Sequence, residues 1–173
     1  ILGMAQKGRR TGLGITAEGD MLAALGLRYG TPEATAFAVK VQKTLALEAY
    51  RASVKMAAER GAFEIFDARK EEKNPMIGRI READPELYAE MVKHGRRNIA
   101  MLTIAPTGTT SLMSQTTSGI EPVFRPVYKR RRKINPSDQD AKVAFVDDMG
   151  EKFEEYNVYH HNFVKWLEAN GYD

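Results

Sequence analysis

The run Ile99-Ala100-Met101-Leu102-Thr103-Ile104-Ala105 is apolar in both of its alternating sets, with Met101 in one and Leu102 and Ile104 in the other. A strand that is apolar on both faces is the pattern of a parallel sheet covered by helices. The segment therefore points to an α/β fold. It breaks at Pro106 and Gly108 and restarts with three hydroxyl residues, Thr109, Thr110 and Ser111. A strand, a glycine turn and a hydroxyl-rich helix start bring free backbone N–H groups and O–H donors to the positive end of a helix dipole, which suits a phosphate. Thr and Ser are also ordinary helix caps, so a purely capping role stays open.

Punctuation along the chain predicts the helices. Residues 11–16 alternate glycine with small and branched residues, as in a short extended segment, and a short helix follows from about Glu18 to Leu25, stopped by Gly26. Thr31-Pro32-Glu33 supplies a hydroxyl cap, a proline at the first helical position and an acid in the first turn. The helix it opens is expected to reach Arg60, before Gly61. It carries two apolar stripes, Phe37, Val41, Leu45, Ala52 and Met56 on one side and Val39, Leu47, Tyr50 and Val54 nearly opposite. One stripe suffices for a surface helix, so two predict burial between layers of a larger body. Asn74-Pro75 and Asp84-Pro85-Glu86 mark two more helix starts, the second ending at Gly95. Residues 123–134 read as extended and polar, an edge or rim. Ser137-x-x-Asp140 resembles a capping box and predicts a further helix. Tyr159, Phe163, Trp166 and Leu167 give an apolar face to a last helix ended by Gly171.

The 173 residues form a single segment, 1–173, one domain's worth of chain. It opens at Ile1 rather than Met and closes at Asp173 just after a helical pattern, so a piece of a longer polypeptide is expected. Such a piece would expose apolar surface in isolation and self-associate. With 26 basic and 23 acidic residues the net charge is only +3, which does not by itself imply nucleic acid. The absence of cysteine excludes disulfides and thiolate metal sites. No apolar run approaches bilayer-spanning length, and a soluble, cytoplasmic protein without membrane partners is expected.

Other candidate sites are weaker. Gly12-Leu13-Gly14 lacks the third glycine of a dinucleotide fingerprint and is better read as close approach of the backbone to a neighbouring strand. Lys129-Arg130-Arg131-Arg132-Lys133 could bind phosphate or nucleic acid. In an extended segment, however, the five charges alternate faces, so a solvated rim or salt bridges to the rest of a longer protein is favoured. His160 and His161 are adjacent and diverge on a helix, and His94 stands alone, which disfavours a metal site. Glu121, within Gly119-Ile120-Glu121-Pro122, is read as a buried acid with a structural role, because a carboxylate facing a diphosphate would repel it.

Ala105-Pro106-Thr107-Gly108-Thr109-Thr110-Ser111 with Ser118-Gly119-Ile120-Glu121-Pro122-Val123-Phe124 resembles the large, catalytic subunit of ribonucleotide reductases. The Thr-Gly-Thr-Thr-Ser form is most similar to the adenosylcobalamin-dependent class. Arg9-Arg10-Thr11-Gly12-Leu13-Gly14-Ile15, then Asp20-Met21-Leu22-Ala23, and Gly95-Arg96-Arg97-Asn98 extend the resemblance over most of residues 9–134, with a looser match to Asp173. The resemblance implies a helix-rich fragment of that family's α/β barrel, with few strands. It implies a radical enzyme that replaces the ribose 2′-hydroxyl with hydrogen, using a thiyl generated after homolysis of the cofactor's carbon–cobalt bond. It also implies a ribonucleoside di- or triphosphate as substrate and the remainder of the same polypeptide as partner; a homo-oligomer is left open. No catalytic residue can be carried onto a chain without cysteine. What carries over is the substrate-phosphate loop, with Thr107, Gly108, Thr109, Thr110 and Ser111 as ligands through amides and hydroxyls. The alternatives are a non-catalytic phosphate-binding or regulatory module, and the large subunit of an iron-dependent reductase.

Overall fold

The computed structural model describes residues 2–138 and 140–172, and it divides into two compact units. The first comprises residues 2–15 and 25–106, and the second residues 16–24 and 107–172.

The first unit is built on helices whose ends are set locally. Helix α1 is Leu2–Gly8; α2, Glu18–Ala24, belongs to the second unit. Helix α3 runs Pro32–Arg60, with the Thr31 hydroxyl accepting from Ala34 N–H and Gly61 turning out at φ 81°. Helices α4 (Pro75–Ala83) and α5 (Pro85–His94) start at Asn74 and Asp84, whose carbonyl and carboxylate oxygens accept from the Met76 and Leu87 amides. Each has proline in its first turn, where no N–H is missed, and Gly95 closes α5 at φ 73°. A 3-10 turn at Ala68–Glu71 precedes α4.

Tyr50 and Val54 of α3, Ile77 and Ile80 of α4, Leu87 and Met91 of α5, and Met101 form one core cluster. Fully burying an aliphatic side chain of this size contributes about 1.5–3 kcal/mol, so the cluster dominates the unit's cohesion. Of the two stripes on α3, the side carrying Tyr50, Val54 and Ala57 is buried, whereas Phe37, Val41 and Leu45 are half-buried and Val39 is exposed. Among the described residues, α4 and α5 cover the face of α3 that carries Tyr50 and Val54.

Behind α5 lies a buried cation. Arg96, only 3 % exposed, forms a two-pronged ion pair with Glu71 and donates from Nε to Asn98 O at 3.1 Å. Its guanidinium sits 5.3–5.8 Å from the ring centroids of Phe63, Tyr50 and Phe66. Burial pushes the Tyr50 phenol above its usual range, with Arg96 pulling the other way. One turn further, Ser53 Oγ donates to Asn98 Oδ1 at 2.9 Å and accepts from Asn98 N–H, while Asn98 Nδ2 donates to Arg9 O. These contacts fix the entry to the apolar run.

That run is extended and, among the described residues, is bridged on one edge. Leu13 N–H donates to Met101 O at 2.7 Å and Thr103 N–H to Leu13 O at 3.0 Å, the two bonds of a parallel bridge between Leu13 and Leu102. Met101 is buried, but Leu102 and Ile104 are 36 % and 61 % exposed. Residues 11–13 flank it on one edge, and among the described residues no second strand flanks the other. The Gly-x-Gly reading holds. A Cβ on Gly12 would come within 3.0 Å of Thr103 Cγ2, and one on Gly14 would collide with Thr103 O.

The second unit combines α2, α6 (Gly108–Ser114) and α7 (His161–Ala169) with a sheet of β1 (Val127–Lys133), β2 (Phe145–Val146) and β3 (Lys152–Tyr159), ordered β1-β3-β2 and antiparallel throughout. A turn at 147–150 joins β2 to β3, with Gly150 at φ 80°. The helix expected after Ser137 does not form among the described residues. Asp138 instead accepts from Asn135 N–H and pairs with Arg132, closing a turn.

The basic run lies on β1 as an exposed rim, with four of its five charges paired within this chain rather than outside it. Arg131 and Lys129 pair with Glu155, Arg132 with Glu154, and Lys133 with Glu151. Antiparallel register sets Arg131 opposite Glu155 and Arg132 opposite Glu154, the geometry in which cross-strand charge pairs stabilise a sheet.

Candidate functional site

All five predicted loop residues lie in the second unit, at the start of α6. Gly108, Thr109 and Thr110 are exposed. The first amides of a helix have no intrahelical acceptor, and the Thr107 side chain makes no capping bond to them. A Cβ placed on Gly108 would meet nothing within 4 Å. The helix start therefore offers unused N–H donors beside two outward hydroxyls, with open space over the glycine.

Thr107 and Ser111 are placed differently. Ser111 is 7 % exposed, and its Oγ donates back to Gly108 O at 2.8 Å. Thr107 Oγ1 lies 2.7 Å from Thr16 Oγ1 and accepts from Gly119 N–H at 2.8 Å. Both hydroxyls are committed to holding the loop, leaving those of Thr109 and Thr110 facing outward.

Support for the loop comes from residues that sequence reasoning did not single out as a site. Asp20 N–H donates to Thr117 Oγ1 at 3.1 Å, and Thr117 N–H donates to Asp20 Oδ2 at 3.0 Å. The same carboxylate oxygen accepts from Asn162 Nδ2 at 2.7 Å and lies 3.7 Å from His160 Nε2. Thr16 Oγ1 contacts Thr117 O at 3.2 Å, as does the N–H of Ala17, a non-glycine residue at φ 66°. Gly19 is required by contact: a Cβ there would strike Glu121 O and approach Pro122 Cα at 2.8 Å. Glu121 is thus exposed rather than buried, and it is its carbonyl that meets α2. Asp20 and Thr117 are 97 residues apart, so no local pattern could have joined them.

A cleft of about 860 Å3 opens beside Ser111, lined on its other sides by Phe124, Arg125, Tyr128, Lys129 and His161. Arg125 stacks over Phe124 at 5.7 Å and gives the cleft positive charge without a buried anchor. Among the described residues, no three His, Asp or Glu side chains converge as a metal site. No helix among them is long and apolar enough to cross a membrane.

Comparison with known proteins identifies the lineage. Residues 3–169 match the family model for the ribonucleotide reductase barrel domain. The chain is 35% identical over 127 residues to a vitamin B12-dependent ribonucleoside-diphosphate reductase of Mycobacterium tuberculosis, covering 73% of this chain and 16% of the relative. A protein of the same name from Thermoplasma acidophilum is 34% identical over 163 residues, 94% of this chain and 18% of the relative. The ribonucleoside-diphosphate reductase subunit alpha of Treponema pallidum is 30% identical over 134 residues, 72% of this chain and 15% of the relative. The chain thus spans less than a fifth of the length of these curated relatives. It belongs to the ribonucleotide reductase family, as part of that family's barrel domain.

Proposed function

We propose that this chain is the part of a vitamin B12-dependent ribonucleoside-diphosphate reductase that holds the substrate's phosphates, at the start of α6. The observation that carries this is the uncapped, exposed first turn at Gly108, Thr109 and Thr110, with open space over Gly108. Backbone amides at a helix start, aided by two threonine hydroxyls, are well matched to a diphosphate. Pinning the phosphates fixes where the ribose lies, and correct placement is itself a large part of a rate enhancement. Thiyl-based ribonucleotide reduction requires thiols, which this chain lacks, so the reacting groups belong to other parts of the longer protein. The edge of residues 99–105 opposite Leu13 is where a neighbouring strand of a complete α/β barrel would pair, and the exposed Leu102 and Ile104 would be covered by the rest of it.

The relatives' names also imply a cobalamin, which when bound supplies the initiating radical. Arg96, Ser53 and Thr107 are satisfied by Glu71, Asn98 and Gly119, whereas Arg9 Nε and His160 Nε2 are buried without a hydrogen-bond partner, one in each unit. They do not form a cradle for that cofactor, and no contact to it is assigned.

The test is equilibrium dialysis of nucleoside diphosphate against variants of the full-length enzyme. Gly108→Val should weaken binding most, by filling the space over the amides. Thr109→Val should cost about 1–2 kcal/mol, the scale of one hydrogen bond to a charged acceptor. Ser111→Ala should matter less, its hydroxyl being turned inward. Unchanged affinity in Gly108→Val would remove the assignment and leave α6 with an ordinary helix start.

A further inference from the structure

The phosphate loop is held by a bracket of side chains that lie outside it. The hydroxyl of Thr107, which opens α6, accepts from the Gly119 amide at 2.8 Å and shares a 2.7 Å hydrogen bond with the Thr16 hydroxyl. The chain beyond α6 is held in turn by the reciprocal pair of bonds between Asp20 and Thr117. Thr117 is 6 % exposed, and the Asp20 carboxylate is 16 % exposed, accepting from the Thr117 amide and Asn162 Nδ2, with His160 Nε2 at 3.7 Å beyond hydrogen-bond reach. The start of α2 thus grips both ends of the stretch 107–119. Such a grip is rigid because Thr107, Asp20 and Thr117 each have fixed partners, and removing one partner strands the other.

We propose that Thr16 and Asp20 are positioning residues for the phosphate site: Thr16 acts through Thr107, and Asp20 acts through Thr117, to hold the α6 amides in the arrangement that accepts a diphosphate. This rests on the phosphate-loop reading above. It gives the Thr107 hydroxyl a positioning role in place of the ligand role suggested by sequence. A preset array of donors binds without first paying the entropy of ordering, so loosening the bracket should weaken phosphate recognition without any direct contact being lost.

The experiment uses the full-length enzyme and two probes, CDP and cytidine, which differ only in the phosphates. Thr16→Val and Asp20→Ala should each lower CDP affinity about tenfold, the scale of one or two stranded hydrogen bonds, and leave cytidine affinity within about twofold. Asp20→Asn keeps an oxygen for the Thr117 and Asn162 donors and should restore most of the CDP affinity. Parallel loss of CDP and cytidine would mean general damage to the fold and would overturn the proposal. So would normal CDP binding in Thr16→Val and Asp20→Ala while Gly108→Val is impaired. If Gly108→Val binds CDP normally, the phosphate-loop reading itself fails, a result separable from the first two. Should Asp20→Ala not fold, Thr16→Val and Asp20→Asn still decide the question: a Thr16→Val enzyme with unchanged CDP affinity overturns it.

Discussion

Replacing Arg96 by Met tests how much of the first unit hangs on one buried cation. The guanidinium is 3 % exposed, holds Glu71 by both prongs, donates to the carbonyls of Asn98 and Ile99, and is surrounded by three aromatic rings. Methionine fills comparable volume but satisfies none of these acceptors. Glu71, 18 % exposed, can recover only part of its hydration, and each stranded carbonyl costs about 1–3 kcal/mol. Breaking one side of a buried ion pair typically costs about 3–5 kcal/mol, and that is the expected loss here. Arg96→Lys keeps the charge but not the planar fork, so about 2 kcal/mol is expected. Pairing Arg96→Met with Glu71→Met removes the stranded charge, and the double variant should be less destabilised than the sum of the singles by about 1–3 kcal/mol. Native-state amide exchange in the full-length enzyme, read at Ser53–Ala57 of α3 and at Met101 and Thr103, resolves such local losses. A drop in protection of about a hundredfold or more is expected for Arg96→Met. A change below tenfold, about 1.4 kcal/mol, would refute the view that Arg96 anchors this unit.

Three further outcomes follow from contacts described above. Gly19→Ala should destabilise the second unit, because its Cβ meets main-chain atoms of Glu121 and Pro122 that no side-chain rotation can clear; faster exchange at Thr117 and Gly119 would report it. Asp84 is held below the usual carboxylate range, first by the Leu87 amide and then by Arg51, against some desolvation. Its contribution is therefore complete above its unfolded pKa of about 3.9 and fades as pH falls through the lower folded value; exchange at α5 followed from pH 6 to pH 2 should show that loss, and Asp84→Ala should abolish the dependence. Glu155→Gln should cost little, since its partners Arg131 and Lys129 are half or more exposed, and the difference from wild type in urea titrations should shrink in high salt.

The helices were legible because their ends are written within four residues of each other. Thr31-Pro32, Asn74-Pro75 and Asp84-Pro85 open them, and Gly61 and Gly95 close two of them, through contacts as local as Leu87 N–H to Asp84. The loop at Thr107–Ser111 was visible for the same reason, as punctuation. What escaped was non-local. Strand β3 has no clean alternation, and its acids make sense only opposite β1, more than twenty residues earlier. The Ser137 capping signal lost to competition, since the neighbouring Asp138 carboxylate was captured by Arg132 and the Asn135 amide. The motif Gly95-Arg96-Arg97-Asn98 marked a family, but nothing in it announced that Arg96 would be enclosed by rings from positions 50, 63 and 66. Asp20 likewise sat inside a quoted motif without revealing its partner.

The two glycines facing Thr103 differ in what could ever replace them. At Gly12 the nearest obstacle is the Thr103 methyl at 3.0 Å, with Thr103 Cβ at 3.3 Å; serine or alanine at 103 would lack that methyl. A larger residue at 12 can therefore become tolerable once position 103 shrinks, and the two sites can drift together across descendants of this sequence. At Gly14 the obstacle is the carbonyl of Thr103, which every amino acid carries. No exchange at 103 relieves it, so position 14 has no compensating partner and each lineage that keeps this parallel bridge must keep its glycine.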